Sequence, residues 1–127
     1  MVKILFVCHG NICRSPMAEF VMKDMVKKAG MEDLFFISSS ATSTEEIWRG
    51  VGNPVYPPAQ RELAKHGISC DGKRAIQITV EDYDKYDIIL CMDTNNMRNH
   101  RCIALPHKQL RLQSDIQPLR RLYPSRG

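Results

Sequence analysis

The chain has 127 residues, 43% of them apolar and 25% charged, close to the average for soluble globular domains. That balance excludes a disordered, collagenous or membrane-spanning chain, and no apolar run approaches the roughly 18 residues of a transmembrane helix. The net charge of +4 is unevenly placed: residues 1–97 hold 11 basic and 13 acidic side chains, whereas residues 98–127 hold seven basic ones against Asp115 alone.

Lys3–Val7 is a β-prone apolar run that predicts a buried strand. Its opening is too short for a signal peptide, which points to a cytoplasmic protein. Five cysteines in no regular framework fit the same reducing compartment. The turn Cys8–Arg14 follows, and then Ser15-Pro16, a pair suited to start a helix. Met17, Phe20, Val21 and Met25 recur at helical spacing, with Glu19, Lys23, Lys27 and Lys28 on the other side. The spacing predicts an amphipathic helix ended by Gly30.

Leu34–Ser39 predicts a second strand, and Ala41–Tyr56 a long polar loop holding Trp48, the only tryptophan. Pro57-Pro58 opens a second helix over Ala59–His66, stopped by Gly67. Thr79–Tyr86 starts like a capped helical turn. Asp87–Met92 predicts the third strand, Thr94–Ile103 a third helix and Gln109–Gln113 a fourth strand. This alternation implies an α/β fold: an open parallel sheet of four strands, or three if truncated, with helices on both faces. Ligands in such sheets sit at the carboxyl ends of strands, and Cys8 ends the first one.

The turn reads Cys8-His9-Gly10-Asn11-Ile12-Cys13-Arg14-Ser15-Pro16, a Cys-x5-Arg spacing. With five cysteines and ten arginines, chance alone gives about 0.4 such spacings, so the setting carries the signal. Five residues allow the backbone to curl with its N–H groups inward, forming an anion nest. Gly10 lacks a Cβ and Asn11 tolerates left-handed dihedrals, so the curl costs little. The helix that follows aims its positive end at the same spot, and Arg14 offers a planar fork for two phosphate oxygens.

That field also acts on Cys8. An ordinary thiol is about 3% thiolate at pH 7. A helix N-terminus and a nearby cation bring a cysteine pKa to about 3.5–7.5. A drop of about three units corresponds to about 4 kcal/mol. Ser15 can hydrogen-bond the thiolate or cap the helix, and the sequence leaves both open. Taken singly, Cys8 also reads as a small buried strand-end residue and Arg14 as half of a surface ion pair.

Val7 to Glu19 resembles the signature of the low-molecular-weight protein tyrosine phosphatases. The likeness continues through Ser38–Thr44, Gly52–Tyr56, His66-Gly67-Ile68 and Leu90–Asp93, over about residues 1–103. The resemblance implies a phosphotyrosine phosphatase I-like fold and a reaction needing neither metal nor cofactor. Cys8 would attack phosphorus to give a phosphocysteine, which water then hydrolyses. Arg14 and the loop His9, Gly10, Asn11, Ile12 and Cys13 would bind the phosphoryl oxygens, with Asn11 and Ser15 holding loop and thiolate in place. Ile12 and Trp48 are similar to the residues lining the family's aromatic slot; core packing for Ile12 and a half-exposed loop position for Trp48 stay open. Cys13 matches a cysteine that bonds the nucleophile reversibly under oxidation. The implied partners are a phosphotyrosine protein or a small aryl phosphate, with inorganic phosphate as product and inhibitor.

The chain departs from that family in lacking an Asp-Pro dipeptide, the family's general-acid loop. Residues 104–127 form a basic segment unlike the family and set apart from a domain over 1–103. Asp115, its sole carboxylate, is the one candidate for a substitute acid; a solvated loop residue is the alternative. A bared sheet face would favour self-association. Two other readings compete: a phosphate-binding module without turnover, and a thioredoxin-coupled arsenate reductase using Cys91 and Cys102. A zinc site from Cys8, Cys13, His66 and Cys70 lacks paired-ligand spacing. The basic segment has no nucleic-acid motif, so neither nucleic acid nor membrane is expected as a partner.

Overall fold

The computed structural model describes residues 1–92 and, beyond them, the backbone of a short strand at Arg111–Leu112. Its elements in chain order are β1 (Val2–Cys8), α1 (Arg14–Lys28), a 3-10 turn (Glu32–Leu34), β2 (Phe35–Ala41), β3 (Ile47–Trp48), β4 (Val51–Gly52), α2 (Pro57–Lys65), α3 (Val80–Lys85), β5 (Ile88–Cys91) and β6 (Arg111–Leu112). The main sheet runs β2-β1-β5-β6 with every pair parallel, as the alternation of strands and helices requires. The chain leaves β1 to one side for β2 and returns to the other side for β5. Cys8 therefore ends the strand at which the sheet order reverses, the position where α/β sheets bind ligands. The fourth strand read at Gln109–Gln113 is present as β6. The helix expected over Thr94–Ile103 lies outside the described residues, as does the rest of the basic segment.

β1 is buried on both faces, and its alternation divides the core in two. Ile4 and Phe6 pack with Ala18 and Met22 of α1, Ile37 of β2 and Leu90 of β5. Leu5 and Val7 face the opposite way, onto Ile78, Tyr83 and Tyr86 around α3 and Ile89 and Cys91 of β5. Helices thus cover both sides of the sheet. Burying side chains of this size contributes about 1.5–3 kcal/mol each. α3 starts on Thr79, whose hydroxyl accepts from the Asp82 N–H while the Asp82 carboxylate accepts from the Thr79 N–H, a reciprocal cap.

Four expectations need correction. First, the stripe Met17, Phe20 and Val21 does not face the sheet: it packs on Val55, Ala59 and Leu63 around α2. The sheet-facing side of α1 is Ser15, Ala18, Glu19 and Met22, so Glu19, read as solvated, is 3% exposed, while Met25 is 38% exposed. α1 is sandwiched between the sheet and α2, so it needs two apolar faces rather than one. Second, α1 begins at Arg14 with Cys13 as the preceding residue and no side-chain cap, because the Ser15 hydroxyl is used elsewhere. Third, the loop after Ala41 contains the hairpin β3–β4, in the register Ile47↔Gly52 and Trp48↔Val51. Arg49 (φ 49°) and Gly50 (φ 78°) form its two-residue left-handed turn. α2 also starts two residues early, at Pro57, since proline's fixed φ suits a first helical turn.

Candidate active site

The segment between β1 and α1 is held by its carbonyls. Cys8 O accepts the Thr42 N–H (3.0 Å), His9 O the Ser43 N–H (3.1 Å), Ile12 O the Tyr56 N–H (2.7 Å) and Cys13 O the Met17 N–H (3.1 Å). The Ser43 hydroxyl adds a second bond to His9 O. Among the described residues the amides of Gly10, Ile12 and Cys13 donate to nothing. The backbone is thus anchored by its acceptors, and three donors stand at the positive end of α1.

Asn11 is the residue in the left-handed region, at φ 58°. Gly10 is not; a Cβ there would meet Glu46 Cγ at 3.1 Å, so the Glu46 side chain would have to shift slightly. Left-handed backbone is uphill for a residue with a Cβ, and Asn11 offsets this by being almost fully tied down. It is 1% exposed. Its amide nitrogen Nδ2 donates to Ser15 Oγ (2.8 Å) and Ser39 Oγ (2.9 Å), and Oδ1 accepts the Ile76 N–H (3.1 Å).

Cys8 is buried at the foot of this arrangement. Its sulfur accepts the Asn11 N–H at 3.3 Å and lies 3.0 Å from Ser15 Oγ. Ser15 Oγ thus lies against the sulfur, and α1 has no side-chain cap. Arg14 is the first residue of α1 and exposed. Cys13, partly buried beside α2, has its thiol pushed up, by burial first and by the Cys8 charge second, against the pull of Arg14. Ile12 is half-buried. Trp48 is 73% exposed on the hairpin, with the Arg49 guanidinium 5.6 Å from its ring centroid.

A second layer was not foreseen. Ser39 Oγ donates to Glu19 Oε1 (2.6 Å), Lys23 Nζ donates to Glu19 Oε2 (2.6 Å), and Lys73 Nζ lies 3.4 Å from Oε1 while donating to the Ser39 carbonyl (2.9 Å). Burial pushes the Lys73 ammonium down, and Glu19 opposes that shift. One signal was available: Ser15, Glu19, Met22 and Val26 recur at helical spacing, and only the sheet explains them. At the rim, His9 Nε2 pairs with Glu45 Oε2 at 2.9 Å.

The other candidates separate in space. Cys91 is fully buried in β5, and Cys102 lies outside the described residues, as does Asp115. Cys70 is buried near α2, with burial raising its thiol, and His66 is exposed. No group of three or more His, Cys, Asp or Glu able to hold a metal occurs among the described residues. Within the same set, no helix is long and apolar enough to cross a membrane.

Known proteins resemble this chain over most of its length. The family model described as "Low molecular weight phosphotyrosine protein phosphatase" matches residues 3–118. The chain is 40% identical over 104 residues to the low molecular weight protein-tyrosine-phosphatase YfkJ of Bacillus subtilis, covering 82% of this chain and 64% of the relative. It is 48% identical over 96 residues to the low molecular weight phosphotyrosine protein phosphatase of Rattus norvegicus, covering 76% and 58%. The crystal structure of YfkJ superposes with a TM-score of 0.82 at 36% identity, over 91% of this chain and 71% of that one. The chain thus spans roughly three-fifths of the length of these relatives' sequences. With a matched model running over nearly its whole length, the chain belongs to the low molecular weight phosphotyrosine protein phosphatase family.

Proposed function

We propose that the protein hydrolyses phosphotyrosine, or small aryl phosphates, through a phosphocysteine on Cys8. The observation that carries this reading is the buried Cys8 sulfur, met by the Asn11 amide and the Ser15 hydroxyl at the mouth of α1. The Cys8 thiolate attacks phosphorus, an S–P bond forms and the bond to the phenolic oxygen breaks. The amides of Gly10, Ile12 and Cys13 and the Arg14 guanidinium bind the equatorial oxygens, where charge is greatest in the transition state. Water then attacks the phosphocysteine, releasing inorganic phosphate and restoring the thiolate. Ile12 and the exposed Trp48 line the approach for an aromatic ring.

The sequence holds no Asp-Pro dipeptide, and no side chain is assigned to protonate the departing phenolate. General acid catalysis typically supplies a factor of about 10²–10⁴, and that factor is greatest for poor leaving groups. The expected result is a steep leaving-group dependence. p-Nitrophenolate leaves fast enough that hydrolysis of the phosphocysteine limits turnover, whereas with poorer leaving groups cleavage of the phenolic bond limits it: phenyl phosphate runs about 10²-fold slower or worse, and log kcat falls as the pKa of the phenol rises. A flat response across a series of substituted phenyl phosphates would contradict the missing acid. Protection of Cys8 from iodoacetate by inorganic phosphate, with no phenolate released from any substrate, would instead favour a binding module.

A further inference from the structure

We propose that Lys73 is a positioning residue for Cys8: its ammonium pins the Glu19 carboxylate and so orients the hydroxyl protons of the Ser39–Asn11–Ser15 chain, leaving the Ser15 hydroxyl to donate to the sulfur. The proposal rests on the phosphatase reading for its importance and on the hydrogen bonds for its logic. A carboxylate between two ammonium groups only accepts. Glu19 meets Lys23 at 2.6 Å and Lys73 at 3.4 Å, so the 2.6 Å contact with Ser39 carries the Ser39 proton. The Ser39 oxygen is then an acceptor and takes one Nδ2 proton of Asn11. The second Nδ2 proton goes to Ser15 Oγ, which leaves the Ser15 proton for Cys8 Sγ, 3.0 Å away. The far side of Asn11 is held by the Ile76 N–H, three residues beyond Lys73 on the same segment. One stretch, residues 73–76, therefore sets both ends of the chain that reaches the nucleophile.

Lys73 is not a surface partner. Its side chain is 10% exposed and that of Glu19 is 4%, whereas the pair Lys65–Glu62 is 70% and 52% exposed. The charged groups facing Lys73 are Glu19 and Lys23 from α1 and Cys8 from β1; β2 presents only the Ser39 carbonyl. Burial favours the neutral amine, while Glu19 and the Cys8 thiolate favour the ammonium.

This arrangement gives opposite pH trends for activity and stability. In the alkaline window where the folded chain has lost the Lys73 proton and the unfolded chain has not, the unfolded state binds more protons. Stability then gains with rising pH from this group, because the cost of burying the charge is relieved. Turnover falls in the same window, because the charge behind the nucleophile is gone.

The test uses the full chain. Turnover of p-nitrophenyl phosphate, the rate of Cys8 alkylation by iodoacetate and the melting temperature are measured across pH for the wild type, Lys73→Met and Lys73→Arg. Expected for Lys73→Met is about a tenfold loss of kcat with little change in KM, and a midpoint of Cys8 alkylation about one pH unit higher. Lys73→Arg, which keeps the charge, recovers most of both. A folded Lys73→Met whose kcat and alkylation midpoint match the wild type overturns the proposal. If Lys73→Met does not fold, the wild type decides. Alkaline loss of turnover at a held or rising melting temperature supports the proposal; a joint fall, or a turnover with no alkaline decline, overturns it. Should the protein show no turnover at all, the alkylation midpoints alone decide, so failure of the phosphatase reading stays distinct from failure of this one.

Discussion

Cys8→Ser is expected to abolish turnover, by about 10⁴-fold or more, while leaving phosphate binding within a few-fold of the wild type. Serine fits the space, and its hydroxyl can still accept from the Asn11 amide and meet Ser15 Oγ, the two contacts made by the sulfur. What it lacks is the sulfur nucleophile. The donors proposed for phosphate belong to the loop amides and to Arg14, and these are untouched. Cys13→Ser is the control: Cys13 packs toward α2 and its thiol is held in the neutral form by burial, so its loss costs at most about tenfold in turnover. The measurement is kcat with p-nitrophenyl phosphate beside phosphate affinity from titration. Retention of more than about 1% of wild-type turnover by Cys8→Ser would remove Cys8 from the chemistry.

Gly52→Ala is expected to have the largest effect on stability of the glycine-to-alanine changes in the described residues. A Cβ at Gly52 would fall 1.9 Å from the Ala75 carbonyl oxygen and 2.7 Å from Ala75 C and N. All three are backbone atoms, so no side chain can swing aside. The two segments are also bonded to each other: Arg74 Nη1 donates to Gly52 O at 2.9 Å, and the Ala75 N–H to Asn53 O at 2.9 Å. A methyl here has to part them, at about 3 kcal/mol or more. For a domain of this size that is roughly 10–20 °C in Tm. The damage reaches the site, because the displaced segment carries Lys73 and the Ile76 N–H that holds Asn11. Phosphate affinity should therefore fall with Tm. Gly30→Ala serves as the control: at φ +69° with nothing within 4 Å of a Cβ, it costs only the left-handed strain of about 1–2 kcal/mol. Equal melting temperatures for Gly52→Ala and the wild type would contradict the close approach.

The strand, loop and helix around Cys8 were legible because their determinants are contiguous. An apolar run, a residue tolerant of left-handed backbone and a helix follow one another within the first thirty residues. The cap at Thr79 was legible for the same reason, its partner Asp82 being three residues on. The fourth strand expected over Gln109–Gln113 contains β6, Arg111–Leu112.

What was missed depends on distant partners. Glu19 looked solvated because a carboxylate is almost never buried alone; it is buried here because Ser39 and Lys73, from two other segments, come to meet it. The face of α1 was misassigned because the helix has two apolar sides, and periodicity alone does not rank them. The β3–β4 hairpin does not show in the sequence because Arg49 occupies a left-handed position that usually signals itself with Asn, Asp or Gly. Asp115, the candidate acid, lies outside the described residues.

The most direct test of the account is to catch the covalent intermediate. The full chain is mixed with p-nitrophenyl phosphate, denatured within the first turnover, and its peptides are weighed. A burst of about one phenolate per chain is expected, with one phosphoryl group on the peptide carrying Cys8, absent from Cys8→Ser. Steady phenolate release with no burst, and a phosphoryl group found on another residue or on none, would contradict it.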